Sequence, residues 1–165
     1  MKKLVVYPLA VIMLLVVACQ GDSKSDNYAD QIGKKHSSEQ LLKSINMSID
    51  EVAKKESKEA LQKEEEDMLV YQYNLGEGET YEVRYVFDNL GCFEVGVDTQ
   101  IKLAEQTKNV KEGWLNYFNQ SSDYTKVEDA NQLISWDKND GKVTVELDYA
   151  LEAEGVLTLT IFANE

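Results

Sequence analysis

The sequence has few of the side chains that most catalytic and metal sites require. Its 165 residues include one histidine, His36, and two cysteines, Cys19 and Cys92. Structural zinc sites use about four Cys or His ligands, and a Ser-His-Asp or Cys-His arrangement needs a histidine held on a rigid frame. Since His36 lies in a polar segment, we expect neither kind of site. The sequence therefore predicts a protein that is not an enzyme and that holds no metal ion or cofactor.

Basic residues are scarce as well. The chain has 17 lysine and arginine residues, with Arg84 as the single arginine, against 30 aspartate and glutamate residues, for a net charge of −13. Nucleic acids are bound mainly through lysine and arginine contacts to phosphates, and no glycine-rich phosphate-binding loop lies between a strand pattern and a helix pattern. These absences argue against nucleic acid and nucleotides as partners. They also predict that anionic lipid surfaces repel the folded part.

The start of the chain has the composition of a secretory leader. Lys2 and Lys3 precede an apolar run at 4–18, which is shorter than the roughly 20 residues of a membrane-spanning helix. The run ends in Val16-Val17-Ala18-Cys19. This ending resembles the lipobox of bacterial lipoproteins, in which acyl chains are attached to the cysteine and the chain is cleaved in front of it.

The lipobox resemblance implies a location. It implies a signal peptide at 1–18, lipidation with palmitate-type chains at Cys19, and a lipid-anchored protein of the bacterial cell envelope. Gln20, where aspartate would favour the inner membrane, favours the outer membrane. An ordinary cleaved signal peptide with an incidental Cys19 is the alternative. Cys92 is then left without an internal disulfide partner, as a small strand residue, an intermolecular bridge or a reactive thiol.

Residues 19–36 predict a flexible tether between the membrane and the fold. The segment is polar and charged and has almost no large apolar residues. Such a composition buries too little apolar surface to offset the conformational entropy that ordering costs. We therefore expect the folded part to begin near residue 37.

Helical and strand patterns follow each other in residues 37–100. Apolar residues recur with the period of a helix up to Leu61, and Ser48 and Glu51 form the pattern of a capping box. Alternating apolar residues, separated by turn residues, then indicate strands. These strand patterns lie at 69–74, 80–89 and 92–99.

The same order repeats in residues 101–165. A helical stripe at 107–120 contains a second capping-box pattern that starts at Asn109. Three strand patterns follow, at 133–136, 142–151 and 155–163, with a hairpin signal at Asn139-Asp140-Gly141.

We therefore predict an α+β fold. It is a tandem repeat of a helix followed by a three-stranded antiparallel meander, with the helices packed on one face of the sheet and 37–165 as one compact domain. The alternative to a duplication is that helices and hairpins alternate by chance.

Part of the first unit has the pattern of a known family. The matching segments are Met47-Ser48-Ile49-Asp50-Glu51-Val52, Tyr71-Gln72-Tyr73 and Val83-Arg84-Tyr85-Val86-Phe87-Asp88. Together, residues 47–98 resemble the small lipoproteins of outer-membrane β-barrel assembly, which share their fold with the β-lactamase-inhibitor proteins. The resemblance implies a scaffold whose sheet and loops dock onto other proteins.

Four residues are candidates for a partner surface. Gln72, Arg84, Val86 and Trp136 lie on strand phases opposite to the predicted core. Tyrosine and tryptophan are enriched where proteins bind each other, so we expect part of the aromatic content on an open sheet face. The alternative is that half-buried aromatics only stiffen a twisted sheet. Arg84 is expected to pair with an acid across the strands, such as Glu94.

These observations lead to one functional hypothesis and two alternatives. The first is a membrane-anchored envelope lipoprotein that acts as a non-enzymatic protein-binding scaffold, with another envelope protein as partner. The second is an inhibitor or immunity-type protein whose acidity matches a basic partner. The third is a carrier of a small ligand on the same scaffold.

Overall fold

Residues 27–164, which the computed structural model describes, fold into four α-helices and one eight-stranded antiparallel sheet. The α+β class predicted from the sequence is confirmed. The leader at 1–18, Cys19 and the first part of the tether lie outside the described residues. Among the described residues, no helix has the length and apolar composition needed to cross a membrane.

The helices begin at capping residues that the sequence supplies locally. Their bounds are α1 Tyr28–Lys35, α2 Ser38–Leu42, α3 Ile49–Lys55 and α4 Ala104–Gln120, and short 3-10 turns span Lys58–Ala60 and Glu152–Glu154. At the start of α3, the Ser48 hydroxyl accepts from the amide of Glu51, and the Glu51 carboxylate accepts from the amide of Ser48 at 2.9 Å. The predicted capping box is therefore confirmed, and substitution of such a cap by alanine costs about 1 kcal/mol.

Helix α1 lies inside the predicted tether. Asn27 caps it, and Tyr28 and Ile32 are buried on one side, with His36 following at the same four-residue spacing. The amide of Tyr28 donates to the Gln106 side chain of α4 at 3.0 Å. The prediction of a flexible tether is wrong for residues 28–36, because two large apolar side chains and a buried histidine give this polar segment enough contacts to offset its ordering entropy.

The sheet has two more strands than the sequence predicts. The strands are β1 Leu61–Glu65, β2 Met68–Gly76, β3 Glu79–Asp88, β4 Gly91–Gln100, β5 Tyr124–Ala130, β6 Leu133–Lys138, β7 Val143–Asp148 and β8 Thr158–Ala163. Their spatial order is β1-β2-β3-β4-β8-β7-β6-β5. Each half of the chain thus contributes four consecutive strands, and the prediction of three-stranded meanders is wrong.

The two missed strands are the edges of the sheet. In strand β1 three of the five residues are charged and four are exposed, and β5 is exposed along most of its length. Both carry an irregularity in their pairing with the neighbouring strand. Charged residues and bulges on an edge strand hinder pairing with other chains, and they also erase the apolar alternation that identifies a strand in the sequence.

The two faces of the sheet differ in burial. Register places Tyr71, Val83, Val97, Leu159 and Leu147 on one side, here called the buried face, and all are buried. The residues between them lie on the other side, here called the open face. A single row of neighbours on the open face consists of Val70, Arg84, Gly96, Thr160, Glu146 and Ser135.

Helix α4 begins three residues before the predicted stripe and takes its cap from a distant strand. The predicted capping pattern at Asn109 falls inside the helix, and Leu103 at the N-cap makes no side-chain bond. Instead, the buried Glu79 at the start of β3 accepts from the amides of Lys102 and Leu103, at 2.6 and 3.0 Å. A carboxylate at this position also interacts favourably with the helix dipole.

Candidate functional site

Three of the four residues predicted for a partner surface lie on the open face. Gln72 on β2 and Arg84 and Val86 on β3 are half-buried. Trp136 on β6 lies opposite Val145 on the buried face, is 1 % exposed and stacks on Phe118 of α4, with ring centroids 5.3 Å apart. The prediction is wrong for Trp136, because its apolar run is too short to define an alternation.

Arg84 is held flat over a glycine by two acids of the next strand. Its Nη2 donates to Glu94 at 3.2 Å, which confirms the predicted pair, and its Nη1 donates to Asp98 at 3.1 Å. Register places Arg84 opposite Gly96, and a Cβ on Gly96 would come within 2.7 Å of Nη2. Gly96 therefore leaves the space in which the guanidinium lies between its two partners.

Acidic side chains dominate the open face. The acids on strands β3, β4, β7 and β6 of this face include Glu82, Glu94, Asp98, Asp137, Glu146 and Asp148. Several are positioned by neighbours: Gln72 donates to Glu82 at 3.0 Å, Thr158 to Asp98 at 2.7 Å and Thr144 to Asp137 at 2.7 Å. Glu146 makes no such bond to the residues that the structure describes. The face therefore presents acceptors with a net negative charge.

Half-buried apolar side chains lie among these acids. They are Met68, Val70, Val86 and Phe162. Six strands at about 4.8 Å spacing and about 20 Å length give roughly 600 Å² of flat area, near the about 800 Å² that each partner buries in a standard protein interface. The mixture of acidic and apolar side chains and the area of the open face are both compatible with the binding of a protein.

A second polar group lies on the buried face and was missed by the sequence analysis. Glu56, directly after α3, accepts from Nε2 of His36 at 3.1 Å, from the Tyr85 hydroxyl at 2.6 Å and from the Tyr73 hydroxyl. The second ring nitrogen of His36, Nδ1, lies 2.9 Å from the Tyr81 hydroxyl. We call these five residues the Glu56 cluster. The side chains of His36 and Glu56 are each 4 % exposed.

The Glu56 cluster is satisfied within itself. Burial by itself would raise the pKa of Glu56, but the bonds from His36, Tyr73 and Tyr85 outweigh it and lower the pKa to about 2. Burial, together with the charge of Glu56, raises the pKa of all three tyrosines, so their hydroxyls stay protonated, and those of Tyr73 and Tyr85 donate to Glu56. The Glu56 carboxylate, at the end of α3, thus connects the residue that follows α1 with strands β2 and β3.

The three tyrosines of the cluster are buried with polar partners, so they are not part of the aromatic content expected on an open sheet face. The cluster also corrects a sequence expectation, because His36 is held on a rigid frame instead of a tether. The spacing Tyr28, Ile32 and His36 was the sequence signal for this, since residues four apart share a helix face. Glu56 had no comparable signal, because its partners come from three separate segments.

No group of three or more His, Cys, Asp or Glu side chains in residues 27–164 is arranged to hold a metal ion.

Cys92, on strand β4, is buried within the core. Burial raises the pKa of its thiol to about 12, so the reactive thiolate is disfavoured. Its Sγ donates to the backbone oxygen of Glu94 at 3.3 Å, which fits the predicted small strand residue.

No family model, curated protein or solved structure matches this chain. The resemblances at 1–19 and 47–98 therefore stay predictions. The function has to be argued from the geometry of the open face and from the chemistry of its residues.

Proposed function

We propose that the chain is a lipid-anchored protein of the bacterial cell envelope, at the outer membrane, that binds another protein through its open face and catalyses no reaction. The observation that carries this is the open face itself: a partly exposed sheet surface whose Arg84, Glu94 and Asp98 are already held in place. Side chains that are ordered before binding lose less entropy when a partner docks. Gln72 and Val86 then contact the partner beside Arg84.

The fold that we propose for this scaffold is a duplicated unit. Strands β1–β4 and β5–β8 each form a consecutive antiparallel meander, and the two meanders meet through β4 and β8 in the middle of the sheet. Contacts on the buried face, from Glu56 to Tyr85 and from Phe118 to Trp136, support helices on one face only. The opposite face is then left for a partner.

The membrane attachment rests on Cys19. Two or three acyl chains hold a protein far more firmly than one, since each buried CH₂ contributes about 0.8 kcal/mol. We expect Cys19→Ser to release the protein into soluble fractions of the envelope without unfolding it, measured by fractionation and circular dichroism. Retention of Cys19→Ser in the membrane, or an unmodified and uncleaved amino end by mass spectrometry, contradicts the anchor.

The binding surface is tested by affinity purification from solubilised envelope. Glu146→Lys reverses a charge in the middle of the open face, and Glu112→Lys reverses an exposed charge on α4 as the matched control. We expect the wild-type chain and Glu112→Lys to retain the same partner and Glu146→Lys to lose it. A partner that both variants retain, or that both lose, contradicts the assignment to the open face.

One observation favours the second hypothesis, an inhibitor or immunity-type protein for a basic partner. The acids around Arg84 make the open face strongly negative, and such complementarity accelerates and selects association with a positive surface. A basic partner predicts that binding weakens steeply as salt rises, because surface charges are screened within about 8 Å at physiological ionic strength. A partner with an acidic or neutral surface and salt-independent binding favours the envelope scaffold instead.

A further inference from the structure

A groove of about 240 Å³ lies between α1 and α4, apart from the open face. Its wall is mainly apolar, and the residues used below are Ile32, Gly33, Ser38, Val110, Gly113 and Trp114. His36 also reaches the groove, but both of its ring nitrogens are already engaged by Glu56 and Tyr81. The groove thus has its own lining and is independent of the function proposed for the sheet.

Two helical glycines keep this groove open. Gly33 lies in α1 and Gly113 in α4, and neither has the positive φ that would require glycine. A Cβ on Gly33 would meet nothing within 4 Å, and one on Gly113 would make an ordinary 3.7 Å contact with Ala29. Glycine within a helix costs about 1 kcal/mol relative to alanine. Neither the backbone conformation nor the packing requires glycine at these two positions. A side chain at either position would enter the groove.

Two polar side chains in the groove wall lack partners. Trp114 is 6 % exposed and Ser38 is 7 % exposed, and within residues 27–164 neither the indole N–H nor the hydroxyl makes a hydrogen bond. The other tryptophan behaves differently, since Nε1 of Trp136 donates to Oδ1 of Asn119 at 3.0 Å. Neither the Trp114 indole nitrogen nor the Ser38 hydroxyl oxygen is sealed from solvent, since the buried side-chain atoms without a partner do not include them, so both remain open to a molecule that enters the groove.

We propose that this groove binds a small, mainly apolar molecule with one hydrogen-bond acceptor, which accepts from the Trp114 indole N–H. Its volume is below the roughly 300–1,000 Å³ of sites for drug-sized ligands. One water occupies about 30 Å³ of liquid, so a groove of about 240 Å³ corresponds to a ligand of about eight non-hydrogen atoms. This site would make the chain a small-ligand carrier in addition to a protein-binding scaffold.

The two tryptophans allow a direct test. A chain that starts at residue 19, with Cys19→Ser, contains every residue of the groove and is labelled with ¹⁵N. Acetophenone, which has a carbonyl acceptor, is titrated, with ethylbenzene as the acceptor-free match. We expect a saturable downfield shift of the Trp114 indole proton with acetophenone only, while the Trp136 indole proton stays in place. Trp114→Phe assigns the two resonances.

A variant in which a new side chain fills the groove provides a matched comparison with the native chain. Gly33→Leu is expected to abolish the shift, whereas Asn116→Leu, on the exposed side of α4, is expected to leave it unchanged. Gly113→Leu replaces Gly33→Leu if that variant loses the dispersed spectrum of a folded protein. The proposal is overturned if the native Trp114 resonance does not respond, if ethylbenzene produces an equal shift, or if the shift persists in the filled groove.

Discussion

The Glu56 cluster and the open face hold charged side chains in opposite ways. In the cluster, one carboxylate receives bonds from His36, Tyr73 and Tyr85 and is almost completely excluded from solvent. On the open face, Arg84 and its two acids remain about a fifth to a third exposed. The buried polar groups of the cluster therefore bond to one another within the fold, and the partly exposed sheet surface is the one that we propose as the partner site.

The largest change in the free energy of unfolding is expected when the negative charge of Glu56, at the centre of the cluster, is removed. Glu56→Gln keeps the shape of the side chain but removes the charge that accepts from three donors. Breaking a buried pair in this way costs about 3–5 kcal/mol, so the free energy of unfolding should fall by about that amount in a urea titration. Glu66→Gln, in an exposed turn, is the control and should change it by less than about 0.5 kcal/mol. If Glu56→Gln and Glu66→Gln lowered the free energy of unfolding equally, the buried carboxylate would stabilise the fold no more than an exposed one.

Acid should reproduce much of that loss in the wild type. The pKa of Glu56 falls from 4.5 to about 2 in the folded state, so the stabilisation is present above about pH 4.5 and is lost as the pH falls towards 2. A difference of that size corresponds to about 3 kcal/mol. We expect the stability difference between wild type and Glu56→Gln to narrow steadily over this range. A constant difference from pH 7 to pH 2 would contradict the assigned protonation state.

A smaller effect is expected at the glycine beneath Arg84. Gly96→Ala places a methyl group against the guanidinium, which must move away from Glu94 and Asp98. Because this ion pair is partly exposed, the stability should change by about 1 kcal/mol or less, while partner binding should weaken several-fold. Thermal unfolding and affinity measurements on the same sample separate the two. Unchanged binding would mean that the position of Arg84 is irrelevant to recognition.

The smallest change in stability is expected at Glu146. This side chain has no bonded partner within the described residues, so Glu146→Lys should alter the free energy of unfolding by less than about 0.5 kcal/mol. The same variant should nevertheless lose the partner. A clear destabilisation by Glu146→Lys would show that the open face, like the cluster, serves the fold.

The regular strands and their turns could be predicted well. Alternation identified β2, β3, β4, β7 and β8, the short apolar run at 133–136 indicated β6, and Asn139-Asp140-Gly141 marked the hairpin between β6 and β7. The edge strands escaped because exposed charged residues such as those of β1 carry no apolar period. The partner surface was predicted in part: Gln72, Arg84 and Val86 share the open face, and Trp136 does not.

By itself, the sequence determined what depends on near neighbours: the capping box at Ser48, the strand alternation, and the pairing of Arg84 with Glu94 across one hairpin. Tertiary structure alone decided that α1 docks, that Glu79 caps α4, and that His36 and three tyrosines meet at Glu56. The physical reason is the distance along the sequence between the residues that each feature joins. A period or a cap involves residues a few positions apart, whereas a buried carboxylate is stable only where distant segments bring enough donors to replace water.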